Sequence, residues 1–307
     1  MTSVCPTFDE LKSGGKLAMA FSLAEIEIHP DNPEVLALLD EAWQRPQAHV
    51  LGLTGPPGVG KSTLLNILIA RWRAAGKTVG VIAVDPSSMK TGGALLGDRT
   101  RFTVDPADEG IFVRSMAARD RLGGLAALTY PASILMRAAY DIVVIETVGV
   151  GQSETEISNV ADSVVFCVQP GSGDSLQFMK AGVMEVPHLA VVTKADKGAD
   201  AIRAKADVKG ALSLSGGAGE DAVPVMLVSA TKLEGIDELM AQIEQRWASL
   251  QVSEALKVAR EDAGLNWLRE IIQEHYGKKG LSKLMTRFDL SKPPFSQWQD
   301  IIATEGS

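Results

Sequence analysis

The chain has 307 residues, 46% of them hydrophobic, with 30 Lys and Arg against 38 Asp and Glu for a net charge of −8. That apolar content supports a sizeable core and excludes a disordered or collagen-like chain, and the negative balance offers no overall counter-charge to a nucleic-acid backbone. The longest apolar runs, such as Ser163 to Val168 and Val79 to Val84, fall far short of the roughly 18 residues a membrane helix needs, so neither nucleic acid nor membrane is an expected partner.

Met1 to Glu10 carries no basic stretch followed by an apolar one, so no secretory signal is read and the cytoplasm is the expected compartment. Residues 8 to 48 place apolar side chains such as Val35, Leu36, Leu38, Leu39 and Trp43 at helical spacing, with Pro30, Pro33 and Pro46 as punctuation. This predicts two or three N-terminal helices. From His49 the texture changes to short apolar runs alternating with amphipathic stretches, the pattern of parallel strands covered by helices. Strands are predicted at 49–54, 78–84, 141–146, 163–169, 188–193 and 224–228, and helices at 61–75, 122–139, 174–184, 200–214 and 235–250. The alternation implies an α/β fold with a mostly parallel, doubly wound sheet whose ligands bind beyond the carboxyl ends of its strands.

After Leu250 the strand signals stop. Residues 253–276 read as one long amphipathic helix ended by Gly277, followed by a shorter helix from Leu281 to Phe288, a break at Pro293 and Pro294, and a last segment containing Trp298. Such a tail is too short to hold its own core and must pack on the sheet or on another subunit. The expected organisation is a helical extension at 1–48, the α/β sheet domain at 49–250 and a helical arm at 251–307. Cys5 and Cys167 make no disulfide framework, and His29, His49, His188 and His275 are scattered singly, without metal-site spacing.

The segment Gly55-Pro56-Pro57-Gly58-Val59-Gly60-Lys61-Ser62-Thr63 fits GxxxxGK[ST] between a predicted strand and a predicted helix, the context of a P-loop. Its glycines let the backbone fold round phosphate oxygens, Lys61 reaches the β- and γ-phosphates, and the Ser62 hydroxyl binds Mg²⁺. Pro56 and Pro57 have no N–H, so the cradle's donors begin at Gly58. Thr193-Lys194-Ala195-Asp196 closes a later predicted strand and is similar to the guanine-reading NKxD, with Thr for Asn. The Asp196 carboxylate can accept from N1–H and the 2-amino group of guanine, whereas adenine offers it no such pair of donors. Ser229-Ala230-Thr231, after the next apolar run, matches the loop that backs a guanine ring.

Three acids fall where Mg²⁺ chemistry is expected: Asp85 after one strand, Asp98 in a glycine-rich loop, and Glu146 at the end of another strand, the Walker-B position. Glycine-rich loops at 85–101, 147–156 and 170–182 follow carboxyl ends of strands and are candidate nucleotide switches. Asp98 and Gln152 are candidates to position the attacking water.

Asp85-Pro86-Ser87-Ser88, Thr91-Gly92-Gly93, Leu96-Gly97-Asp98-Arg99-Thr100-Arg101, Leu122-Gly123-Gly124 and the run Glu146-Thr147-Val148-Gly149-Val150-Gly151-Gln152-Ser153-Glu154 resemble the MeaB/ArgK family. The resemblance extends from about residue 8 to 250. These are P-loop GTPases associated with adenosylcobalamin-dependent acyl-CoA mutases. The resemblance implies a GTP-hydrolysing chaperone that gates adenosylcobalamin delivery to its mutase and helps exchange damaged cofactor. It implies GTP or GDP and Mg²⁺ as ligands, with adenosylcobalamin held by the partners, and the cobalamin adenosyltransferase as a further candidate partner. By position, Lys61 would bind phosphate, Ser62, Asp85, Asp98 and Glu146 would form the Mg²⁺ and switch network, and Asp196 would read guanine. Gly171, Ser172, Gly173, Asp174, Gln177 and Lys180 would form a third switch, and the C-terminal arm would make a homodimer. Departures from the family pattern are Thr193, Met89-Lys90 and the loop Met116 to Arg121. A kinase of transport proteins and a nickel-delivery GTPase are the alternatives; the second would be expected to carry His/Cys clusters.

Overall fold

All six residues of strand β1 (His49–Thr54) are buried, because helices cover both faces of the sheet at its centre. The computed structural model describes residues 5–86, 102–118, 128–147, 149, 156–171, 186–214, 222–289 and 292–305. Within them, β1 is joined by β2 (Val79–Pro86), β3 (Ile111–Ala118), β4 (Ile142–Thr147), β5 (Ser163–Val168), β6 (Leu189–Val192) and β7 (Val225–Leu227). The order is β3-β2-β4-β1-β5-β6-β7, and every pairing is parallel. The chain starts at the centre, runs to one edge and returns to fill the other side. The turn after β1 therefore sits where the strand order reverses, at the crevice in which doubly wound sheets bind ligands.

Alternate strand residues serve opposite layers. Val50, Ile82, Val84, Val143 and Ile145 pack under α5 (Thr129–Ala139) and the terminal helices. Leu51, Leu53, Val79, Val81 and Val144 pack under α4 (Lys61–Ala74) and α7 (Ile236–Gln251). Helix α6 (Ala199–Leu214) covers β5 and β6 through Ala201, Val208 and Leu212.

β3 is a strand the sequence reading did not predict. Arg114 and Ser115 interrupt its apolar run, and both are tolerated because β3 is an edge strand, where Arg114 reaches out to pair with Glu27 at 2.5 Å. The predicted helix 174–184 and residues 122–127 of the predicted helix 122–139 lie outside the described residues.

Three N-terminal helices form, as the periodicity predicts: α1 (Phe8–Ser13), α2 (Gly15–Ile28) and α3 (Pro33–Gln44). Thr7 and Glu10 make a reciprocal capping box on α1, while Asn32 caps α3 with Pro33 in its first turn. Helical structure runs over Glu254–Leu284 as α8, but Gly277, at φ 68° and ψ −176°, is not helical. Two helices meet there at a kink, so the first ends at Gly277 as the sequence predicts and the second starts earlier than Leu281.

The last helix, α9 (Pro294–Glu305), lays Phe295 and Trp298 into the same apolar cluster as Phe8, Leu36, Leu39, Trp267 and Ile272. Trp298 Nε1 donates to Asp31 at 2.7 Å, and the Ser296 N–H to Asp40 at 3.1 Å. The tail packs on its own chain: one core joins the extension, the sheet and the arm.

Candidate functional site

The loop between β1 and α4 has a backbone that only glycine tolerates. Gly55 lies at φ 134°, and a Cβ there would come within 2.1 Å of the Cys167 carbonyl oxygen on β5. Gly58 and Gly60 are also left-handed, with open space where a side chain would be. Together they wrap a concave turn onto the N-terminus of α4, where unpaired N–H groups and the helix dipole favour phosphate. Lys61 is buried, its ammonium donating to the carbonyls of Gly55 at 2.5 Å and Pro56 at 3.1 Å.

Ser62 Oγ donates to Glu146 Oε1 at 2.8 Å. Glu146 is carried there by register, opposite Leu53 of β1 and Ala83 of β2. A hydroxyl and a buried carboxylate at the mouth of the P-loop are hard oxygen ligands. Among the described residues no group of three His, Cys, Asp or Glu side chains could hold an ion. That combination fits Mg²⁺, which binds through one or two protein oxygens and takes the rest from water and phosphate. Asp85 is the last residue but one of β2, opposite Ala117, and its side chain, like Asp98 and Gln152, lies outside the described residues.

Beyond the P-loop opens a cavity of ≈ 260 Å³. Val59, Gly60 and Thr63 line one side, and Thr193, Lys194, Asp196, Ala230 and Thr231 the other. Asp196 stands exposed in a one-turn 3₁₀ helix after β6. Its Oδ1 accepts from Ser229 Oγ at 2.8 Å, and that bond, more than any other influence, lowers its pKa, so the carboxylate stays ionised at neutral pH. Ser229 is buried and faces Asp196 rather than the cavity, so it orients the acid. Thr193 is turned inward: its hydroxyl reaches the carbonyls of Val59 at 2.7 Å and Val168 at 2.9 Å, linking the P-loop to the end of the sheet. Lys194, left-handed at φ 52°, donates to the Gly58 carbonyl at 3.0 Å and to Gln169 Oε1.

Three further residues contribute contacts that the sequence reading did not specify, two of them, Thr147 and Gly149, inside the candidate switch loop 147–156 and the third, Gln169, not singled out at all. Thr147 Oγ1 donates to Thr54 Oγ1 at 2.8 Å, a buried link between the ends of β4 and β1 that strand alternation across two neighbours could have shown. Gln169 holds Lys194. Gly149, at φ 79°, rests on the P-loop so closely that a Cβ would lie 1.7 Å from the Gly55 oxygen and 3.1 Å from Lys61 Nζ.

A family model described as methylmalonyl-CoA mutase-associated GTPase MeaB matches residues 17–284. A Pyrococcus abyssi protein described as a GTPase is 46% identical over 218 residues, 69% of this chain and 67% of that protein. The Escherichia coli GTPase ArgK is 36% identical over 264 residues, 84% of this chain and 80% of that protein. A crystal structure titled LAO/AO transport system kinase shares the fold with a TM-score of 0.67, at 24% identity over 98% of this chain and 96% of that one. With a P-loop, a strand-end carboxylate and an acid-lined cavity at the expected places, the chain is a P-loop GTP hydrolase and belongs to the MeaB family of methylmalonyl-CoA mutase-associated GTPases.

Proposed function

We propose that this GTPase is a nucleotide-gated chaperone of an adenosylcobalamin-dependent acyl-CoA mutase. It works in the cytoplasm as a homodimer and loads or restores the partner's cofactor, with the cobalamin adenosyltransferase as a second partner. The family description supports the mutase, and the position of Gly149 supports the gating. Gly149, two residues beyond β4, lies on the Gly55 carbonyl and beside the Lys61 ammonium. Phosphate entering the loop draws Lys61 off those carbonyls and changes what Gly149 rests on, so nucleotide state is passed to the residues after it.

In hydrolysis, Lys61 and the N–H groups from Gly58 onward offset charge developing on the phosphoryl oxygens. Ser62 and Glu146 would hold Mg²⁺, directly or through its waters, with Asp85 as a further candidate ligand, and the ion would supply positive charge against the phosphates. Asp196, fixed by Ser229, reads the base, and Thr193, Lys194, Ala230 and Thr231 shape the cavity around it. Asp98 and Gln152 orient the attacking water.

The test is phosphate release from Mg-GTP and Mg-ATP, each with and without a cobalamin-dependent acyl-CoA mutase from the same genome. Slow, GTP-only turnover accelerated by the mutase is expected. GTP turnover indifferent to the mutase would overturn the chaperone reading while leaving the GTPase intact. Loss of base preference in Asp196→Asn, with GTP affinity down by about 10²-fold or more, is expected of a guanine reader.

A further inference from the structure

A cavity of ≈ 640 Å³ opens at the amino ends of β6 and β7, within the size range of small-molecule sites. The segments that enter those two strands, with His188 in one and Val223 and Pro224 in the other, form one wall. The C-terminal half of α7 forms the opposite wall. Gln242, Gln245, Arg246 and Ser249 line it at the helical spacing i, i+3, i+4 and i+7. Helix α7 already packs on the sheet through Ile236, Leu239 and Ile243, so this second, polar face is not needed to hold it in place.

Two of the lining side chains are anchored with donors to spare. Arg246 Nε donates to Ser163 Oγ at 2.9 Å, and His49 Nε2 lies 2.8 Å from the same oxygen. That bond pins the inner edge of the guanidinium. Among the described residues its two Nη groups make no hydrogen bond. Asp162 attracts Arg246, but its oxygens already accept from Arg260 Nε and Nη2 and from the Val50 N–H. On the next residue of β5, the Val164 N–H donates to His188 Nδ1 at 3.0 Å. The imidazole proton is therefore on Nε2, and burial keeps the ring neutral. Both side chains line the one cavity, and Arg246 is close enough to disfavour a charge on His188. No acid lines it among the described residues.

A single fixed cation selects a single negative charge. A phosphate monoester carries nearly two at neutral pH and would leave one uncompensated, whereas the two oxygens of a carboxylate match the two Nη groups of an arginine. Gln242, Gln245 and Ser249 both donate and accept, which suits an amide or hydroxyl elsewhere on the same molecule. We propose that this cavity binds a small organic monocarboxylate with an amide- or hydroxyl-bearing body, its carboxylate held by the outer edge of Arg246 and the Nε2–H of His188. The nucleotide cavity lies at the other end of β6, where Thr193 and Asp196 follow the strand, so the two ligands make no contact.

The test is thermal melting in saturating Mg-GDP, which keeps the probe out of the P-loop. N-Acetylglycine at about 50 mM should raise the melting temperature by about 2–3 °C more than its neutral amide does at matched ionic strength. Arg246→Gln should lose that excess, a fall in affinity of about tenfold or more. No excess in the parent, the same excess in Arg246→Gln, or an equal excess with methyl phosphate would overturn the proposal. Should Arg246→Gln fail to fold, Ser249→Trp decides, because it places an indole at the exposed rim and leaves Arg246 and His188 intact. It should melt within about 1 °C of the parent without the probe and show no excess with it; an excess that survives would put the acid elsewhere and refute the site.

Discussion

The two ends of the same sheet use polar side chains in opposite ways. At the carboxyl ends, Lys61 rests on two backbone carbonyls, Asp196 stands exposed on a hydroxyl, and Gly58, Gly60 and Gly149 hold left-handed turns. A ligand can replace each of those bonds. At the amino ends, Arg260 grips Asp162 with two nitrogens, His49 and Arg246 meet on Ser163 Oγ at 2.8 and 2.9 Å, and His49 stacks on Trp247 at 4.7 Å. Those groups satisfy one another and fasten α7 and α8 to the strands. One end is built to exchange partners and the other to keep them, so substitutions at the two ends should separate activity from stability.

The largest effect belongs to the exchanging end. Lys61→Ala should reduce GTP hydrolysis by about 10³-fold or more, since its charge meets the phosphates only in the liganded protein. Its melting temperature should change by no more than about 3 °C. Phosphate release at saturating Mg-GTP, beside a thermal melt, checks both. A variant hydrolysing at the parent rate would remove Lys61 from the site.

Asp162→Ala is the mirror experiment. It leaves the largely buried Arg260 without its bidentate carboxylate and removes the charge that attracts the half-buried Arg246, a loss of about 3 kcal/mol. Melting should fall by about 10 °C while turnover per folded molecule stays at the parent value. A loss of turnover without a loss of stability would break the division between the two ends.

Acid sharpens it further. Burial pushes His49 and His188 down to about 4, and the neutral His188 Nδ1 accepts the Val164 N–H at 3.0 Å. Between pH 6.5 and 4 the unfolded chain binds more protons at both histidines, so stability falls as pH drops through that window and levels off below it. Asp40 works the other way. Burial raises it to about 6, so it takes up its proton in the folded state first and gains stability from pH 6 downward. Two histidines against one aspartate leave a net loss of about 1.4 kcal/mol per pH unit between about pH 6 and 4. His188→Gln should remove one histidine's share and flatten the limb, which denaturant melts across pH would show.

The exchanging end was far more legible in the sequence than the keeping end. Lys61, Ser62 and the P-loop glycines stand at fixed offsets because phosphate imposes its geometry on a continuous stretch, and Glu146 is marked by the apolar run that it closes. The Arg260–Asp162 pair joins residues 98 apart, and no local pattern links them. β3 escaped because an edge strand is free to carry Arg114, which breaks the alternation that identifies strands. Thr54 and Thr147 read as ordinary strand residues until the β1–β4 register sets their hydroxyls against each other.

Thr193 tests the smallest step of the comparison, because it keeps a partner at the exchanging end. Its sequence position suggests a base contact, yet its one proton is shared between the Val59 and Val168 carbonyls. Thr193→Val keeps the shape and leaves both buried carbonyls without that donor, which should cost about 1–2 kcal/mol of stability. Because Val59 lies in the P-loop, GTP affinity should weaken by about 3- to 10-fold while the preference for GTP over ATP is unchanged. Thr193→Asn restores a donor and should recover most of the affinity. The readout that decides is the ratio of GTP to ATP binding. If that ratio collapses in Thr193→Val, the hydroxyl reads the base, and the strut between P-loop and sheet is incidental. If only the absolute affinity moves, the residue braces the loop, and discrimination rests on Asp196.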